Sequence, residues 1–231
     1  TLFPYTTLFR SGLASTRSSL GRNLMHLGQA EEGLRLILAS RELRKSMVAA
    51  DPSDARARRN LTVSEFTVAD AYEKLGRYEE ALPHFENYRD QLGELVVADP
   101  NYIVLQRDLA LGYQRIGVLL NKLNRPQEAL VSSREALTMF QRLAATDRAD
   151  ALAAQDEALA YGELGTIQLA MAITDEVSRS ERLEKLIEAR SNLVRMQEKV
   201  TSMQSSCRMT KDRLNEYETM MRSLADCEAR I

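Results

Sequence analysis

The side chains best suited to chemistry are few and scattered. His26 and His84 stand far apart in the chain and share no motif, too isolated to be read as a general base or a metal pair. Glu79, Glu80 and Glu128 fall in the first turns of predicted helices, where capping and the helix dipole account for them without catalysis. Cys207 and Cys227 have no further ligands at metal spacing, so neither a zinc site nor a disulfide framework is expected. No nucleophile, base and set of oxyanion donors can be assembled from what remains. The reading is of a chain that is not an enzyme and needs no cofactor and no metal.

The elements that carry these residues repeat. HLGQAEEGL at 26–34 recurs as KLGRYEEAL at 74–82 and KLNRPQEAL at 122–130, which sets a 48-residue period. The register holds well beyond the motif. Asp51-Pro52, Asp99-Pro100 and Asp147-Arg148 share a step, and Arg59-Asn60-Leu61 answers Arg107-Asp108-Leu109. Gly21, Ala69, Gly117 and Gly165 form one column, and Tyr113 and Tyr161 another.

Each unit reads as two helices. In the second unit Leu61, Val68, Ala69, Tyr72 and Leu75 make one apolar stripe at helical spacing, and Gly76 ends it. A second helix starts near Tyr78-Glu79 and presents Ala81, Leu82, Phe85, Tyr88, Leu92 and Leu95 until Asp99-Pro100 stops it. Pro83 falls inside this helix and reads as a tolerated early-helix proline, with a hinge as the alternative. Small residues sit where the two helices must approach: the Gly21 column on the first, and Gly33, Ala81 and Ala129 on the second.

Composition agrees with a charge-rich helical protein: 231 residues, 44% apolar, 28% charged, 6% aromatic and no Trp. The net charge of -2 comes from 31 basic and 33 acidic residues without a long run of either, so no nucleic-acid footprint appears. No apolar stretch reaches membrane-spanning length. The expected location is cytoplasmic.

These residues resemble the tetratricopeptide repeat. Ile116-Gly117 stands for its Leu-Gly pair, Gly76 for the Gly between helices, Ala81 for the Ala early in the second helix, and Pro100 for the exit proline. The resemblance covers about 12–172. It implies an all-α fold, a right-handed α-solenoid of antiparallel helical hairpins. A standard unit has about 34 residues; the extra length here is about four helical turns, which preserves the buried face. The long unit, with Arg107-Asp108-Leu109-Ala110 and Asp99-Pro100, also resembles the repeats C-terminal to the kinase domain in some bacterial serine/threonine protein kinases. The kinase signatures themselves are absent: there is no glycine-rich loop, no H-R-D and no D-F-G.

Thr1–Ser11 reads TLFPYTTLFRS, which is similar to the in-frame translation of a widely used short-read sequencing adapter. It is expected to be a non-native segment, and the chain a C-terminal fragment of a larger protein. The remainder, without Arg10, carries 30 basic against 33 acidic residues, net -3. Units are expected at about 12–53, 54–101, 102–149 and 150–205, with a capping helix at about 208–231. In the fourth unit ITDEVSRS at 173–180 lengthens the hairpin loop. Arg213, Glu216, Glu218, Arg222 and Glu228 would give the cap a polar outer face. The methionines clustered around 196–221, including Met209, are read as core and cap packing, with an adaptable contact surface as the alternative.

Recognition is the function that remains. The resemblance implies that first helices of the hairpins line a concave groove. Its candidate contacts are Arg22, Met25 and His26; an exposed Phe66 with Asp70, Glu73 and Lys74; and Gln114, Val118, Asn121 and Lys122. Asp70, Val118 and Thr166 share one groove column, which speaks against a basic clamp for a terminal carboxylate. The expected partner is a protein or peptide, with no nucleic acid and no membrane. Two alternatives stand beside the scaffold reading: a substrate-recruiting segment of a bacterial kinase, and a rod that self-associates through the N-terminal edge at Leu13, Leu20 and Leu24.

Overall fold

The structure, a computed structural model, describes residues 3–147, 150–173, 178–205 and 211–231. Among these, every regular element is an α-helix: α1 Phe3–His26, α2 Ala30–Ala50, α3 Ala55–Lys74, α4 Tyr78–Ala98, α5 Ile103–Lys122, α6 Pro126–Thr146, α7 Ala151–Ala172, α8 Arg179–Ser205 and α9 Lys211–Arg230. The helices therefore start and stop on the period of the sequence: α2, α4 and α6 begin at 30, 78 and 126 and end at 50, 98 and 146. Cys207 and Met209, the 174–177 part of the long loop, and the side chains of Arg213, Leu214 and Glu216 lie outside the described residues.

The period is enforced by local chain chemistry. Gly28 and Gly76 adopt φ of 83° and 71°, and Asn124, next in the column, adopts 56°. Each ends a helix in the left-handed conformation, open to Gly and tolerated by Asn. The following residue closes the turn by donating its N–H back across it: Gln29 to Leu24, Arg77 to Tyr72 and Arg125 to Leu120, all at 2.9 Å. At the opposite ends, Asp54 accepts from the Arg56 and Ala57 amides, and Asp150 from those of Leu152 and Ala153. Tyr102, between them in the column, provides no side-chain cap for α5.

The chain divides into two compact units, 1–95 and 96–231, with the boundary in the last turn of α4. In the first, Gly21 and Gly33 let α1 and α2 meet backbone to backbone: a Cβ on either would stand 2.6 or 2.5 Å from the other's carbonyl oxygen. Leu34, Ile37, Val68 and Ala71 form the core between α2 and α3. Leu8 and Phe9 of α1 are 69% and 72% exposed, so neither side chain is part of the core.

In the second unit, Phe140, Leu143, Tyr161, Leu164, Met196 and Tyr217 join α6, α7, α8 and α9 in one core. Met196 and Met203 are buried and Met220 and Met221 half-buried, as core packing requires. A Cβ on Gly117 would collide with the Ser133 hydroxyl, and one on Gly165 would stand 2.7 Å from Leu193 Cγ. Tyr217 fastens α9 to α7 by donating its hydroxyl to the Gln155 carbonyl at 2.8 Å. Glu218, Arg222 and Glu228 face solvent on α9, but Ile187 and Ile231 are also more than half exposed at this end.

Candidate functional site

Within the second unit, Val118, Asn121 and Lys122 come together at the wall of a cleft of about 480 Å³. They are helical neighbours at the C-terminal end of α5. The facing residues are Glu163, Thr166 and Ile167 of α7 and Thr219, Met220 and Ser223 of α9. The lining is apolar at Val118, Ile167 and Met220, with hydroxyl and amide groups around it and Lys122 and Glu163 among the charged members. Such a cleft suits an apolar side chain flanked by backbone amides and carbonyls. Thr166 belongs to the same column as Val118, so the spacing finds it. The α9 residues are hidden from the spacing, because α7 and α9 begin at 151 and 211, a longer step than the period of the preceding repeats.

Gln114 corrects the groove expectation. It is only 4% exposed, inside the helix packing, and its Nε2 has no hydrogen-bond partner among the described residues. The Ser133 hydroxyl of α6 likewise has no partner among the described residues. The physical cause is a change of content within one frame: Gln114 and Ser133 hold the positions that Phe66 and Phe85 hold in the preceding repeat.

In the first unit Arg22 and His26 are exposed and Met25 is half-buried against Gly33. Asp70 and Lys74 pair at 2.8 Å one helical turn apart, and Glu73 is half-buried beside them. Phe66, expected to be exposed, is instead half-buried: its ring meets Phe85 edge-on at 5.6 Å and Tyr88 at 5.1 Å. The aromatic face that periodicity assigns to solvent is used by the hairpin itself.

The sequence also gives no hint of what His84 does. Its Nδ1 lies 2.6 Å from Glu65 Oε2, and the other carboxylate oxygen accepts from Arg41 Nε at 2.8 Å. Glu65 is 2% exposed, so this carboxylate is held by partners from α2 and α4. The His84 ring stacks on Tyr72 at 5.8 Å, and Arg77 covers Tyr72 at 4.9 Å. A buried acid with two donors is a structural clasp. In the second unit Arg107 and Asp156 make a comparable contact at 2.6 Å. Among the described residues, no cluster of three or more His, Cys, Asp and Glu can hold a metal ion, and no helix is long and apolar enough to cross a membrane.

The tetratricopeptide repeat model matches residues 66–87, the second half of α3, the Gly76 turn and the start of α4. No curated protein matches the sequence. Among solved structures the chain is similar to a putative kinesin light chain with nearly identical TPR-like repeats from Podosopora anserina, at 17% identity and TM-score 0.43, over 93% of this chain and 97% of that one. It is also similar to BtubC (BKLC) from P. vanneervenii, at 13% identity and TM-score 0.40, over 96% and 90%. A third is the TPR2AB-domain:pHSP90 complex of yeast Sti1, at 14% and 0.24, over 91% and 99%. The matched segment at 66–87 is flanked by repeats with the same turns and the same helix bounds, so the chain is an all-α helical-repeat protein whose second repeat is similar to the tetratricopeptide repeat.

Proposed function

We propose that the chain is a protein-interaction scaffold that takes a peptide segment of its partner along the first helices of its hairpins. The observation that carries the reading is the cleft where Val118 and Asn121 of α5, Thr166 and Ile167 of α7 and Met220 of α9 converge. An apolar floor with amide and hydroxyl walls favours a peptide with one medium apolar side chain as its anchor. Arg22, Met25, His26, Phe66, Asp70, Glu73 and Lys74 are the contacts proposed for the first unit, Phe66 through its ring edge. The test is selection of binders from a displayed random-peptide library, followed by calorimetry. Selected peptides should lose at least tenfold in affinity to Val118→Glu and little to Arg134→Glu on α6. Peptides that bind both variants equally would exclude the cleft.

The finer reading, a recruiting segment of a bacterial serine/threonine kinase acting in the cytoplasm, is supported by Arg107-Asp108-Leu109-Ala110 and Asp99-Pro100 in the long repeat. Sequence recovered upstream of residue 12 tests it; a gene without a kinase domain sinks it. Self-association is supported by Leu20 in α1 and Leu27 just beyond it, both exposed. Light scattering on the chain with one added upstream repeat should then show a concentration-dependent mass, and a monodisperse monomer ends that reading.

A further inference from the structure

In the second unit a groove of about 680 Å³ runs between α8 and the end of α9. Its apolar members are Ile187, Val194 and Ile231, and the first and last of these are 54% and 55% exposed. Arg190, Arg195 and Glu198 of α8 and Glu228 of α9 supply the charges. Past Glu198 the same face of α8 goes on to Thr201 and Ser202. From Ile187 to Ser202 this face is about four turns long, ~24 Å of helix rise, which is room for a second helix laid along it.

The order of charges says which helix that is. Arg190 stands four residues before Val194 and Glu198 four after it, while Ile187 and Thr201 stand seven residues to either side. A two-fold axis at Val194 therefore lays a second α8 antiparallel on the first, with Arg190 opposite Glu198 twice over and Ile187 opposite Thr201. Arg190 Nε donates to Glu228 at 3.2 Å, and its guanidinium keeps further N–H donors for a second carboxylate. Glu198 is exposed, and among the described residues no cation pairs with it. Arg195, the remaining charge, lies over the Tyr161 ring at 5.6 Å. The face is complementary to itself in charge.

We propose that the chain forms a two-fold dimer through α8, with Val194 at the axis and Arg190 of each copy paired with Glu198 of the other. The contact covers Ile187 and Val194 in both copies, and the two ion pairs fix the antiparallel register. Because both copies use the same surface, the assembly closes at two and does not propagate. It shares no residue with the peptide cleft or with the edge at Leu20 and Leu27.

Sedimentation velocity on the full chain tests it. The parent chain should sediment at twice its own mass at ~100 µM. Arg190→Glu and Glu198→Arg each set like charges opposite one another and should weaken the dimer at least tenfold. Mixed in equal amounts, the two variants should dimerise again, since each replaced charge then meets its opposite on the other chain. Mixing does not repair a damaged fold, so this recovery separates a broken contact from a misfolded variant. Leu27→Glu, an exposed change at the other edge, should leave the dimer intact. A monomeric parent chain, a dimer unmoved by both reversals, a mixture that stays monomeric, or a dimer lost on Leu27→Glu overturns the α8 contact.

Discussion

His84 Nδ1 and Glu65 Oε2 face each other at 2.6 Å across the α3–α4 hairpin, on a carboxylate that Arg41 grips from α2. His84→Ala leaves one oxygen of a buried carboxylate without its donor, a loss of about 1–3 kcal/mol. His84→Asn, whose amide can donate in its place, should recover part of that. A double-mutant cycle with Glu65→Gln by urea unfolding measures the coupling. A coupling energy near zero would contradict the clasp.

The turn column gives two opposite expectations. Gly76→Ala forces a Cβ into a left-handed conformation and should cost about 1–2 kcal/mol. Asn124→Gly relieves the same conformation at φ 56° and should stabilise the chain. Denaturant midpoints of the two variants should therefore move in opposite directions.

Tyr102 is the uncapped member of the Asp54–Tyr102–Asp150 column. Tyr102→Asp should place a carboxylate over the first amides of α5 and gain about 0.5–2 kcal/mol. Thermal unfolding at pH 7 checks this, and the gain should shrink at acid pH as the new carboxylate is protonated.

Gly117→Leu pushes a side chain into Ser133 and the Ala129 carbonyl and should cost about 1–3 kcal/mol or more. A melting curve unchanged by it would count against close contact of α5 and α6.

Cys227 is buried and its Sγ–H points at the Leu186 carbonyl at 3.2 Å. Burial pushes its thiol above the usual value, against smaller opposing effects from Arg190. The unfolded thiol therefore ionises first as pH rises, and the stability this group contributes falls through the alkaline range. In a Cys207→Ser background, maleimide should label Cys227 far more slowly in the native chain at pH 8 than after unfolding. Equal rates would disprove its burial.

Much of the fold is legible because its determinants are local and recur. Gly28, Gly76 and Asn124 mark the turns, Asp54 and Asp150 the caps, and Gly21 and Gly33 the close approach, each through its own backbone chemistry. The site is less legible because its determinants are not local. Phe66 and Gln114 share a column, yet one packs on two rings and the other is buried with an idle amide, since the residues opposite them differ. The contribution of α9 to the cleft follows from a change of spacing after Ala172, and no pattern in the preceding repeats announces it.

The recurring Leu24–Gln29, Tyr72–Arg77 and Leu120–Arg125 turns amount to a standard joint. Because these turns recur on one period, and α2, α4 and α6 share one length as α3 and α5 share another, a copy of residues 54–101 inserted after Asn101 keeps the register of the sequence. The chain can lengthen by whole modules without new joinery, whereas the altered spacing beyond Ala172 makes its last helices a bespoke fitting that no upstream module replaces.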